Sequence, residues 1–415
     1  MKRFTKLMVA IAVVAMAIPA FSAVENIKVG GDIDIYGINR HNFNYLVPDY
    51  ADDHFQTSAR VYVQAQLTDN VEAMVRLINE RDWGYGNYDY EQSILVDLAY
   101  IKVSGLGIDG LGLTVGRQEI QLGEGLVVGS RYTPYFNYPT GNTGIVAQDL
   151  GKQKAFDAIR LDYNGDGPVD ATLFMAKIHE EFTTDDDHHL YGLNLGFDIK
   201  DTAKLEGYYV RYQYMNDIKA NCTTIGIRAT GNVGNFDLKG EYARQLGEWY
   251  GGADNKGWAC LLGGQYNFDA AVSGNVHANL NLYSGQDSSS DNTQWLSMFP
   301  ANTATRIGAI NYALVTGELG FAGLCNARVI NLGAAVKPAE KLCLGIDWFN
   351  VHLLEETFWS SNEKAIGNEI DASVVYNHTD DLAFGLQYGI LLTGDALAMF
   401  DANPWQLIAS AKLAF

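Results

Sequence analysis

The 415-residue chain has few prolines, few cysteines and a shortage of basic residues. It contains 8 prolines, 4 cysteines, and 29 lysines and arginines against 49 aspartates and glutamates, so its formal net charge is −20 at pH 7. Nucleic acids select basic surfaces, so this composition argues against a nucleic-acid partner. The cysteines have neither CxxC spacing nor a nearby histidine pair, which argues against zinc and redox chemistry but leaves a disulfide open. They are Cys222, Cys260, Cys325 and Cys343.

Beyond residue 23, the chain also lacks an apolar run of about 20 residues, the length that a membrane helix needs. The N-terminus carries a shorter apolar segment, Leu7 to Ile18, which follows three basic residues and precedes small residues up to Ala23. This order is typical of a secretory signal, so we predict a signal peptide over residues 1–22. Residues 23–415 are predicted to form a single domain.

Apolar and polar residues alternate along eighteen stretches, most of them about 8–13 residues long, which suits tilted membrane strands. This period of two predicts strands with one apolar face and one wet face. The predicted strands cover residues 28–38, 57–68, 71–80, 93–104, 111–118, 154–163, 168–179, 188–199, 204–214, 222–231, 234–247, 257–268, 274–285, 326–337, 341–352, 367–378, 381–393 and 405–415.

The connections between these stretches sort by length. Those after even-numbered strands are short turns, such as Thr68-Asp69-Asn70, whereas those after odd-numbered strands are mostly longer. This sorting predicts short periplasmic turns, long outer loops and both chain ends in the periplasm. The alternative is a secreted protein with two β-sheets, but such a fold would not be expected to sort its connections by length. The predicted fold class is therefore all-β: a transmembrane, antiparallel, up-and-down β-barrel of about 18 strands in the bacterial outer membrane.

The last predicted strand ends the chain with Leu413 and Phe415 on its apolar face. A barrel must pair this edge with the first strand, because lipid offers no partner for free backbone groups. A terminal phenylalanine resembles the signal that outer-membrane proteins present to their insertion machinery, so that machinery and the membrane lipids are expected partners. Aromatic residues near strand ends are expected to form interfacial girdles. They are Tyr100, Tyr214, Trp258, Trp348 and Trp405.

Two ordered motifs resemble the alginate-export family of outer-membrane porins. The first is Val115-Gly116-Arg117-Gln118-Glu119 followed by residues 123–129, and the second is Phe156-Asp157-Ala158-Ile159-Arg160-Leu161. A weaker third set is Phe299-Pro300, Ile307-Gly308, Asn326-Ala327-Arg328 and Lys337-Pro338. The resemblance covers the mature chain and implies an 18-stranded barrel. It does not imply alginate as the substrate, because the exporter resembled here is associated with a strongly basic lumen and this chain is acidic.

Alternation predicts which charged side chains face the lumen, where rings of charge set ion preference. The alternative is that these charges only pair across strands. The predicted basic set is Arg60, Arg76, Arg160, Arg211, Arg228, Lys239 and Lys412. The predicted acidic set is Asp32, Asp34, Glu72, Asp97, Asp162, Asp198, Asp237, Glu241, Asp347, Glu369 and Asp371.

Simple alternation puts Arg117 on the lipid side of the predicted barrel, with Leu113 and Val115. An arginine in the middle of the membrane costs roughly 2–4 kcal/mol. Its position near the outer end would let it reach the headgroups. We instead predict a bulge near Gly116 that turns Arg117 into the pore and adds it to the basic set.

The loops 119–153 and 286–325 are the candidate constrictions. The first carries aromatic residues that can stack on sugars and an arginine that can hold a carboxylate, although a surface-exposed loop is the alternative. These candidates are Arg131, Tyr132, Tyr135, Phe136 and Tyr138. The run Asp185-Asp186-Asp187-His188-His189 lacks the alternating ligands and glycine of a calcium loop, so we predict a solvated tip and no metal.

Neither a GxSxG nor an HExxH motif occurs, so the sequence predicts no enzyme and no cofactor. The predicted function is a passive channel for polar solutes, among them anionic saccharides and small organic molecules. One alternative is an exporter of an exopolysaccharide resembling alginate. The other, from a different class, is an outer-membrane hydrolase.

Overall fold

The computed structural model describes residues 26–44, 49, 51–84, 94–130, 147–180, 187–200, 202–214, 220–248, 252–316, 324–356, 363–400 and 402–415. Eighteen strands form one sheet, in which each strand pairs with the next along the chain. They are β1 Asn26–His41, β2 Ala51–Thr68, β3 Val71–Asp82, β4 Leu95–Ser104, β5 Leu111–Gln118, β6 Phe156–Asn164, β7 Val169–His179, β8 His188–Ile199, β9 Ala203–Tyr214, β10 Asn221–Val233, β11 Phe236–Leu246, β12 Trp258–Asp269, β13 Ser273–Tyr283, β14 Ala327–Ala339, β15 Leu342–His352, β16 Ala365–Asn377, β17 Leu382–Thr393 and β18 Trp405–Ala414.

The sheet closes on itself where β18 pairs with β1. The pairing is antiparallel over ten residue pairs, from Asp32 with Ala414 to His41 with Trp405. At the seam, Gly31 and Phe415 exchange backbone hydrogen bonds of 2.8 and 3.0 Å. The predicted 18-stranded barrel is therefore confirmed. Closure leaves no strand edge exposed to lipid, which the membrane interior requires.

Side chains alternate across the barrel wall as the sequence predicts, with apolar residues outside. Val61 on β2, Ile227 on β10 and Leu238 on β11 are 49%, 53% and 50% exposed. An exposed apolar belt of this kind suits contact with lipid, which covers it as a core would. The short turns all lie at one end of the barrel and the longer loops at the other, again as predicted.

The apolar core lies inside the barrel. The segments 119–130 and 284–316 fold into the lumen and join through a backbone bridge between Val128 and Phe299. We call these two segments the plug. Its side chains Trp295 and Phe299 are fully buried, and burial of one large apolar side chain contributes roughly 1.5–3 kcal/mol. The plug is therefore part of the folded core.

The plug contains two short helices, α1 Ala304–Ile307 and α2 Ala309–Thr316. Gly308 separates them with a positive φ of 97°, and a Cβ there would lie 2.4 Å from the Glu369 carboxylate. Glycine is thus required at this turn. Among the described residues, no helix is long and apolar enough to cross a membrane.

Candidate functional site

The plug narrows the lumen from one side. Its two segments are tied by the Gly129 N–H, which donates to the Phe299 carbonyl at 2.7 Å. The Phe299 ring then meets the wall rings of Phe156 and Tyr212 edge-on, at centroid distances of 5.9 and 5.4 Å. The described parts of these two loops thus contact the inner wall, and their role as constrictions stays a prediction.

Two wall carboxylates anchor the start of α2. Glu369 accepts hydrogen bonds from the backbone N–H groups of Ile310 and Asn311 at 2.6 and 2.9 Å. Asp371, two residues further along the same strand, accepts one from Ala309 at 3.0 Å. The positive end of a helix favours such carboxylates. The sequence placed both acids in the lumen but did not identify them as anchors; an acidic pair at i and i+2 facing inward was the available signal.

One lumen wall, on β1 to β6, carries three arginines that pair with carboxylates. Arg60 bridges to Asp32 at 2.9 Å, and Arg160 bridges to Asp162 at 2.8 Å. The side chain of Arg76 lies between Asp97 and Glu119. We call this surface the charged wall. A fourth cation, Lys152, lies in the segment just before β6 and reaches Asp32 and Asp34 at 2.5 and 2.7 Å.

Several other predicted lumen residues also have partners inside the barrel. Arg228 contacts Glu206, and Glu241 accepts the Tyr208 hydroxyl at 2.7 Å. Lys239 bridges to Glu124 of the plug at 2.9 Å. Further lumenal contacts join Glu72 to Gln64 at 2.7 Å and place the Lys412 amine 5.4 Å from the Tyr36 ring centre. These positions agree with the alternation, while the selectivity roles of the residues stay predictions.

The opposite wall, on β12 to β15, carries amides. This wall lines a cavity of about 1330 Å³, which residues of the plug also line. Within it, Asn279 donates to Asn331 at 2.8 Å, and Asn331 donates to Asp347 at 2.9 Å. His277 contacts Asp347 at 2.8 Å. We call this surface the amide wall: Gln265, His277, Asn279, Asn281, Asn331 and Asp347. In an 18-stranded ring, β13 lies nine strands from β4, so the amide wall faces the charged wall across the lumen.

Arg117 does not face the pore, so the predicted bulge near Gly116 is wrong. The register of β5 runs unbroken from Leu111 to Gln118 and keeps Arg117 on the outer face, where it bridges to Asp157 at 3.0 Å. Gly116 instead allows the backbones of β4 and β5 to approach closely, because a Cβ there would lie 2.2 Å from the Ala99 carbonyl oxygen. The irregularity in this region lies in the pairing of β3 with β4, next to Asp97.

Arg211 also lies outside, contrary to prediction. Its neighbours Val210 and Tyr212 are fully buried against the plug, and Arg211 pairs with Tyr191 and Thr223 on the outer face. Because the plug makes part of the lumen apolar, polarity no longer identifies the inner face of β9. Tyr100, which was predicted to belong to the outer aromatic girdle, instead points inward, where its hydroxyl donates to Glu72 at 3.4 Å.

The predicted loop candidates Arg131, Tyr132, Tyr135, Phe136 and Tyr138 lie outside the described residues, as does the side chain of Tyr214. In the acidic run, His188 and His189 fall on opposite faces of β8, so they cannot bind one ion together. No group of three potential ligands close enough for a metal occurs in the described part of the chain. All four cysteines are free.

Comparison with known proteins connects this barrel to a family. The family described as alginate export matches residues 27–402. No curated protein sequence matches the chain. Among solved structures, Pseudomonas aeruginosa OccK2 (OpdF) in complex with glucuronate is similar at TM-score 0.60 and 11% identity, covering 95% of this chain and 100% of that one.

Two further solved barrels are similar. Pseudomonas aeruginosa OpdK with vanillate has TM-score 0.60 and 9% identity, covering 94% of this chain and 99% of that one. Acinetobacter baumannii OccAB4 has TM-score 0.58 and 13% identity, covering 95% and 100%. At this identity the likeness shows a shared fold.

Proposed function

The chain belongs to the alginate-export family of outer-membrane barrels, and from this premise we propose that it is a passive channel for small hydroxylated solutes. The chain belongs to the family by its sequence, and the observation that carries this proposal is the neutralisation of cations on the charged wall, where four cations pair with five carboxylates. An entering anion would have to displace an acid from any of these four cations that it binds. Anionic saccharides, included in the sequence-based prediction, therefore come second to neutral ones.

The amide wall supports the same class of solute. An amide side chain offers both donors and an acceptor, which match the donor and acceptor capacity of sugar hydroxyls. Asn279 is half-buried and donates only one of its amide hydrogens to Asn331, which is itself buried behind it. Gln265, also half-buried, adds a second amide to the surface of the cavity. A neutral saccharide passing between the walls can thus exchange its water for protein hydrogen bonds on both sides.

Export of an acidic polymer is the second candidate, and the family match favours it. The plug argues for a smaller solute, because it is held at several points. Arg306 donates to the Gly125 carbonyl at 3.2 Å, and Glu369 holds the start of α2. A wall whose cations are already neutralised also gives a polyanion little attraction. We therefore place monomer-sized solutes first.

Liposome swelling tests the proposal directly. Refolded protein in vesicles should pass a neutral hexose several times faster than the uronate of the same hexose. Equal or faster entry of the uronate would overturn the charge argument, and no swelling with either solute would overturn the channel. Passage of a long uronate polymer would favour the exporter.

The remaining assignments follow the channel proposal. Residues 1–22 act as the signal peptide, and Phe415 presents the barrel to the insertion machinery. The chain carries out no catalytic step, and its solutes cross unchanged. Purified protein incubated with lipid or peptide substrates should therefore release no product.

A further inference from the structure

Four successive odd-numbered strands, each of which runs toward the long loops, carry a cation on the outer face of the barrel. The residues are Arg117 on β5, Lys177 on β7, Arg211 on β9 and Arg244 on β11. Each lies within three residues of the loop end of its strand, so the four side chains share one level. This level is the outer rim of the barrel.

The outward direction of Arg211 and Arg244 follows from strand register. Arg211 pairs with Thr223, and Arg244 pairs with Ile225 and Trp258. Ile225 is 48% exposed on the outer surface. The adjacent Ala243 points inward and is fully buried. Both arginines therefore stand directly above the apolar belt.

The four cations differ in their partners. Arg117 bridges to Asp157 at 3.0 Å, and Lys177 bridges to Asp187 at 2.9 Å. Within the part of the chain that the structure describes, no carboxylate forms an ion pair with Arg211 or Arg244. These two guanidinium groups have donors left for an outside acceptor.

Arg211 and Arg244 are close enough to share one ligand. Only β10 separates their strands, and adjacent strands lie about 4.8 Å apart. Their neighbours on β10, Thr223 and Ile225, are two residues apart, which adds roughly 7 Å along the strand. Two long side chains can therefore meet at a group placed between them.

We propose that Arg211 and Arg244 bind a phosphate of a phosphorylated glycolipid in the outer leaflet. The anion that lies at this level of a membrane is the lipid phosphate, and the guanidinium fork matches phosphate oxygens in pairs. Tyr209 and Tyr242 lie two residues before the arginines on the same strands and are 38% and 46% exposed. Their rings offer an apolar surface for the acyl chains. Charge and apolar surface thus both fit one lipid.

Native mass spectrometry of the detergent-solubilised barrel tests this site. The probes are lipid A with two phosphates and the same lipid after enzymatic removal of both phosphates. The unaltered protein should bind the phosphorylated probe at least tenfold more tightly, a ratio that corresponds to about 1.4 kcal/mol. Equal binding of the two probes would overturn the proposal without any variant.

The double variant R211Q/R244Q should lose about tenfold of the affinity for phosphorylated lipid A and keep its single-channel conductance. The matched control R60Q/R76Q removes the same charge inside the barrel and should bind the lipid as the unaltered protein does. Unchanged lipid affinity in R211Q/R244Q would contradict the proposal. Loss of self-association in R211Q/R244Q with unchanged lipid affinity would also contradict the proposal and would identify the patch as a contact between copies.

Discussion

Glu369 on the barrel wall accepts a hydrogen bond of 2.6 Å from the backbone N–H of Ile310 at the start of α2. The Glu369 side chain is fully buried under the helix. A wall carboxylate therefore fixes the positive end of a lumenal helix, and through it the position of the plug. We therefore expect the width of the lumen to depend on this contact.

Replacement of Glu369 by glutamine should loosen the plug. Both carboxylate oxygens of Glu369 accept hydrogen bonds, and E369Q replaces one of them by an amide NH2 group that cannot accept. A buried donor left without its acceptor costs about 1–3 kcal/mol. We expect higher mean conductance and more frequent current transitions in planar bilayers. E72Q, which alters a lumenal carboxylate that contacts Gln64 on the wall, is the matched control. Identical traces for E369Q and E72Q would contradict the anchoring role.

Phe299 should determine how tightly the plug is packed. Removing a buried aromatic ring typically costs 3–5 kcal/mol, so F299A should open the plug to protease. Trypsin cleavage after Arg306, which is 7% exposed, should become faster in F299A. F236A removes a ring that is 50% exposed on the outer surface and should leave the rate unchanged. Equal rates for both variants would show that Phe299 does not hold the plug.

The seam of the barrel should tolerate no side chain at Gly31. A Cβ there would lie 2.3 Å from the Arg60 carbonyl oxygen, so G31A forces the backbone of β2 to move. Overpacking of this kind costs about 1–3 kcal/mol and should lower the unfolding temperature seen as a gel-mobility shift. G207A has open space around the new carbon and should unfold as the unaltered protein does. A normal unfolding temperature for G31A would refute the close approach at the seam.

The strands were predictable because the wall is a repeated local pattern. The bounds of β5 and β8 agree with the predicted residues 111–118 and 188–199. Loop lengths gave the direction of each strand, and the C-terminal strand required closure. Strand bounds and loop lengths are local features, and closure of β18 on β1 follows from the need to pair the last strand edge.

The errors occurred where distant contacts set the environment. The plug makes the inner face of β9 apolar, so Arg211 could not be placed by polarity alone. For Arg117, an ion pair with Asp157 at the rim makes the outer face acceptable, and the prediction, which weighed the cost of lipid against reach to the headgroups, did not include this pair. The anchoring of α2 by Glu369 and Asp371 joins segments about 60 residues apart, and no local pattern reports such a contact.

The central claim is that lumenal arginines neutralise lumenal carboxylates. The variant R60Q/R76Q/R160Q removes three cations and leaves their acid partners in place, so the lumen should become more negative. The variant R117Q/R211Q/R244Q removes three arginines from the outer face and serves as the matched control. Because salt screens charges beyond roughly 10 Å at 0.1 M, the outer variant should have little effect inside the pore.

The deciding measurement is the reversal potential under a salt gradient in planar bilayers of neutral lipid. We expect R60Q/R76Q/R160Q to shift the reversal potential clearly toward cation selectivity, and R117Q/R211Q/R244Q to give the same value as the unaltered protein. A reversal potential of R60Q/R76Q/R160Q equal to that of the unaltered protein would contradict the account.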